Sequence, residues 1–66
     1  MNVNKLKGKI VERGENVEVL ADKIGVDRAT MYRKLNSFEK VTIGEASRIK
    51  AALGLTSEEA TEIFLD

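Results

Sequence analysis

A chain of 66 residues with no Cys, His, Pro or Trp has room for one small domain and lacks the commonest metal ligand and general base as well as any thiol. Eleven basic and eleven acidic side chains cancel, so the net charge by itself points to no polyanionic partner. No apolar run approaches the ~20 residues of a membrane span, and the opening MNVNKLKGK lacks the apolar core of a signal peptide, which predicts a soluble, cytoplasmic protein.

Abundant Leu, Lys, Glu and Ala without Pro favour helix, and no strand pair with hairpin chemistry is visible. The first helix is predicted over about Val3 to Arg13, capped by Asn2 or Asn4, with Val3, Leu6 and Ile10 as its inner stripe. Gly8 costs about 1 kcal/mol of helix propensity, so either a neighbour packs close to it or the helix is weak there. Lys5, Lys7 and Lys9 are read as solvated outer residues that serve solubility, with phosphate contact from one of them as the alternative.

Asn16 can cap a second helix, Val17 to Ile24, in which Val17, Leu20, Ala21 and Ile24 form one apolar stripe. Its first-turn N–H groups, at Asn16 and Val17, are candidates for phosphate binding. Gly25 suits the left-handed residue that ends such a helix, and Val26 can plug the corner beyond it. Asp27 caps a third helix, about Arg28 to Asn36, with Met31 and Leu35 turned inward. Two short helices joined through a Gly turn make a helix-turn-helix. The outer face of its second helix then meets the major groove. There Arg28 and Arg33 can each bond guanine bidentately, Ala29 can touch a thymine methyl, and Thr30 and Tyr32 can reach a base. Lys34 fits a phosphate or solvent. Arg28 has a structural alternative, balancing Asp27 or Asp22, and Tyr32 has one in covering the rim of the core.

Phe38 is expected in the core. Thr42 with Glu45 is a capping box that opens a fourth helix, running to about Leu53 with Ile43, Ala46, Ile49 and Leu53 inward. Lys50 must snorkel its ammonium to the surface, and Gly54 closes the helix. Thr56 with Glu59 is a second capping box, opening a fifth helix at about Ser57 to Phe64. Its inner stripe is Ala60, Ile63 and Phe64, and Glu58, Glu59 and Glu62 are placed on its outer side as solvated carboxylates.

Charge is unevenly spread. Residues 28 to 50 carry six basic and two acidic side chains, and residues 51 to 66 carry four acidic and none basic. The basic middle, at +4, can attract DNA over about one Debye length, ~8–10 Å, despite global neutrality. Without His, Cys, a Gly-rich phosphate loop or a clear ligand cluster, no enzyme activity, metal, cofactor or small-molecule substrate is expected.

The run LADKIGVDRATMYRKL, with Leu20, Ala21, Gly25, Val26, Asp27 and Met31, resembles the helix-turn-helix of the phage repressor and Cro family, also called the Xre type. Ile49, Ala52, Leu53, Gly54 and Thr56 resemble that family's C-terminal signature, and the likeness spans about residues 4 to 64. The resemblance implies an all-α, five-helix, lambda-repressor-like domain covering 1–66. It further implies a transcriptional regulator, such as a phage or prophage repressor, that reads a two-fold symmetric operator. Asn36, Ser37 and Lys40 would then lie along the DNA backbone. Leu55, Phe64 and Leu65 would form a dimer contact, giving a weak homodimer or one assembled on DNA, with capping of the monomer's own core as the alternative. Many relatives place Gln in the first turn of the second helix, where this chain has Val17, Glu18 and Val19. Such folds also serve as antitoxin or anti-activator modules that grip another protein, which is the alternative function.

Overall fold

The computed structural model of the chain describes residues 1–36 and 41–65. Among them are five α-helices and no strand: α1 (Val3–Glu12), α2 (Val17–Ile24), α3 (Arg28–Asn36), α4 (Ile43–Leu53) and α5 (Ser57–Phe64). Side chains that occupy orphan N–H groups of the first turn fix where helices begin. Asn2 accepts from the Lys5 amide and Asn16 from the Val19 amide, at 3.1 and 2.8 Å. Thr42 with Glu45 and Thr56 with Glu59 each complete both halves of a capping box. Gly25 and Gly54 end α2 and α4 with φ of 73° and 65°, where a β-carbon would be strained.

Among the described residues, Leu6, Leu20, Met31, Ile49 and Ile63 are the largest fully enclosed side chains, one from each helix. Val3, Ile10, Ala21, Ile24, Leu35, Leu53 and Leu55 complete the core around them, and Val17, Val26 and Phe64 pack on its edge. No helix can hide its apolar stripe alone, so each start and stop matters for bringing one large residue to the centre. The amide of Asn2 donates to the Ile63 carbonyl at 2.6 Å, tying the beginning of α1 to α5.

Expectations for Ile43 and Glu59 are corrected, and of the two alternatives at Gly8 the close neighbour is absent. Ile43 is 91% exposed. It lies six residues before Ile49, and at 100° per residue that spacing places it about 120° off the buried stripe. Nothing approaches a β-carbon built on Gly8, so no close neighbour compensates its cost to α1. Glu59 does not face outward: its carboxylate meets both Lys9 and Arg13 of α1. Lys5 reaches Glu62 at 3.4 Å, so two of the lysines read as solvated outer residues are stitched to the acidic last helix. Phe38, expected in the core, lies outside the described residues.

Candidate functional site

The α2–α3 pair is held by its turn. The Val26 amide donates to the Ala21 carbonyl at 3.0 Å, closing α2, and Val26 packs against the core. Asp27 then starts α3, its Oδ2 accepting from the amides of Ala29 and Thr30 at 3.0 and 3.3 Å. Met31 and Leu35 anchor the inner side. Arg28, Ala29, Tyr32, Arg33 and Asn36 are exposed, and Thr30 is half-buried. α3 therefore presents Arg28, Ala29, Tyr32 and Arg33 at i, i+1, i+4 and i+5, one side of a helix.

Two carboxylates of α2 attend this face. Asp22 receives Arg28 bidentately, from Nε at 3.3 Å and Nη2 at 2.8 Å. Glu18 lies 3.5 Å from Arg28 Nη1 through Oε2 and accepts from the Tyr32 hydroxyl through Oε1 at 3.1 Å. The Arg28 hydrogen bond holds the Asp22 carboxyl below its usual range, and that same bond raises the guanidinium. Donation to Glu18 keeps the Tyr32 phenol protonated to higher pH than usual. Of the structural alternatives open to Arg28, the partner is Asp22.

Other cations of the basic middle are also engaged. Lys34 meets Glu45 at 2.8 Å, with 14% of each side chain exposed. That bond, with the Thr42 amide, depresses the Glu45 carboxyl. In the free chain this ammonium is largely enclosed and held against α4. Arg48 donates from Nη1 to the Ile24 carbonyl at 2.9 Å and from Nε to the Gly44 carbonyl at 3.2 Å. Lys50 donates to Ser57 Oγ at 3.2 Å, the surface route its position demanded. Among the described cations counted in that stretch, Arg28, Lys34, Arg48 and Lys50 thus each hold a partner within the chain. Arg48 had no signal beyond that count, because the Ile24 carbonyl comes from another part of the fold.

Asn16 is exposed and Val17 half-buried at the start of α2, beside first-turn N–H groups that no helical carbonyl can reach. Ser37 and Lys40 lie outside the described residues. Among the three residues expected at a dimer contact, Leu55 is buried at 6% exposure and belongs to the monomer's own core. Phe64 is half-buried and Leu65 is 80% exposed. These two join Ile43, Ala46 and Ala60 along a shallow groove of about 310 Å³ between α4 and α5. No helix of the described residues is long and apolar enough to cross a membrane.

Comparison with protein-family models, curated proteins and solved structures gave no match to this chain.

Proposed function

We propose that the chain is a sequence-specific double-stranded DNA-binding regulator of the phage repressor and Cro type. In this reading α2 and α3 act as a helix-turn-helix, and α3 enters the major groove. The observation that carries it is the α3 surface, which combines a seated inner side, Met31 and Leu35, with Arg28, Ala29, Tyr32 and Arg33 exposed together outside. Guanidinium groups read guanine, small side chains permit close approach, and a hydroxyl reaches a base edge or phosphate. The first-turn amides at Asn16 and Val17, with Asn36, Ser37 and Lys40, supply backbone contacts. Two copies meet weakly through Phe64 and Leu65 and assemble chiefly on the two halves of a symmetric operator. Selection of bound duplexes from a random pool tests this. A two-fold symmetric consensus supports it, and failure to enrich any sequence overturns it.

Two observations favour a second reading, a module that grips another protein. Arg28 is already neutralised by Asp22 and Glu18, and the α4–α5 groove carries the exposed apolar Ile43 and Leu65. For such a module the duplex pool yields no consensus at any salt concentration.

A further inference from the structure

The contacts between α2 and α3 bear on how a DNA-reading face discriminates, an inference that rests on the DNA reading above. We propose that Glu18 and Asp22 are specificity-determining residues, whose carboxylates keep Arg28 from generic phosphate contact so that this face accepts base edges and rejects bare backbone. Asp22 already supplies Arg28 with the two-oxygen partner that a phosphate would offer, at 3.3 and 2.8 Å. Glu18 adds a second carboxylate 3.5 Å from Nη1. Two negative charges around one guanidinium leave the cluster at −1, and the capping carboxylate of Asp27 stands at the start of the same helix. A phosphate is an anion and only accepts hydrogen bonds. Approaching the hydrogens that Asp22 leaves open, it enters a negative local field, and it has no donor to offer either carboxylate.

A base pair differs on both counts. Guanine O6 and N7 are neutral acceptors, so approach to Arg28 meets no anion–anion repulsion, and the N4 amino group of cytosine donates. Arg28 uses Nε and one hydrogen of Nη2 on Asp22, which leaves the remaining hydrogens of its five-donor fork for a base. Glu18 Oε1, which now accepts from Tyr32, can take the amino hydrogen as well. A G·C pair therefore satisfies guanidinium and carboxylate together. The cost falls on a phosphate, which brings a further negative charge beside Glu18 and Asp22 and no donor for either.

The test compares wild type with Glu18→Gln, Asp22→Asn and the double variant. Glu58→Gln serves as control for each single variant, since it makes the same change of one charge on α5, and Glu58→Gln with Glu62→Gln matches the double variant. Both carboxylates are about half exposed, so the isosteric amides keep the fold, which circular dichroism verifies. Fluorescence anisotropy measures affinity for the selected duplex and for a random-sequence duplex from about 50 to about 200 mM salt. The expected result is roughly tenfold or more tighter binding of the random duplex by the double variant, by release of one cation and removal of like-charge repulsion. The gain on the selected duplex is smaller, and the salt slope on random DNA steepens by about 0.9 for one added phosphate contact. Unchanged or weaker binding of random DNA, or an equal gain from the matched control, overturns the assignment while leaving the DNA reading intact. A wild-type protein that prefers no duplex overturns both.

Discussion

Arg48 of α4 donates from Nη1 to the carbonyl oxygen of Ile24, the last residue of α2, at 2.9 Å. The guanidinium thus sits at the negative end of the α2 dipole and satisfies a terminal carbonyl. Its Nε bonds the Gly44 carbonyl one turn back on its own helix, so the fork bridges α4 to the corner that sets the direction of α3. Arg48→Ala is expected to lower unfolding free energy by about 1–2 kcal/mol, read as a lower urea midpoint. Arg48→Lys keeps the charge but not the fork and should recover only part of the loss. Wild-type stability in Arg48→Ala would show that the strap is dispensable.

The exposed Ile43 and the buried Ile49 make a matched pair on one helix. Ile43→Ser is expected to change stability by less than about 0.5 kcal/mol, as at other surface positions. Ile49→Ala leaves a cavity at the centre and should cost about 2–5 kcal/mol. Chemical denaturation of the two variants checks this. A comparable loss at both positions would mean that Ile43 packs inward.

Glu59 contributes to the acid response beside the depressed carboxyls of Asp22 and Glu45. Hydrogen bonding to Lys9, then to the Thr56 amide, lowers its carboxyl from 4.5 to about 2. A group whose folded pKa lies below its unfolded value favours folding above the unfolded value, and that contribution fades as pH falls through the folded one. The melting temperature should therefore drop between about pH 4.5 and about pH 2, as the link between α1 and α5 is protonated. Glu59→Gln should be less stable than wild type at pH 7 and show a flatter acid limb. The same limb in both proteins would remove Glu59 as a contributor.

Leu65 is placed to separate assembly from recognition. Leu65→Asp puts a charge on the α4–α5 groove without disturbing the core, because the side chain is exposed. Affinity for a duplex with one half-site should stay as in wild type. The extra affinity gained on two adjacent half-sites, which reflects raised effective concentration, should be lost. Retained gain on paired sites would place the contact between copies elsewhere.

The helices were legible because their signals are local. Asn16, Asp27, Thr42 with Glu45, Thr56 with Glu59, and the two glycines that close α2 and α4 each act on a neighbour within four residues. The α2 stripe was legible for the same reason, since Leu20, Ala21 and Ile24 share one face. Arg48 on Ile24, Lys34 on Glu45 and Glu59 on Lys9 were not legible, because each joins parts of the chain that only tertiary packing brings together. Ile43 misled through its apolar character, as a spacing of six residues does not return to the same face of a helix. For the α3 surface, the order of residues told which side chains point outward and offered Asp22 as a partner for Arg28, but not that Glu18 would meet both Arg28 and Tyr32.

Whether the outer face of α3 reads bases is decided by Arg33→Ala. Affinity is measured for the selected duplex and for random DNA in the same buffer, with wild type alongside. Loss of a bidentate base contact should reduce discrimination between the two by about 1–3 kcal/mol, with the loss concentrated on the selected duplex. An equal drop on both duplexes would refute base reading at this position, because it would make Arg33 a backbone contact.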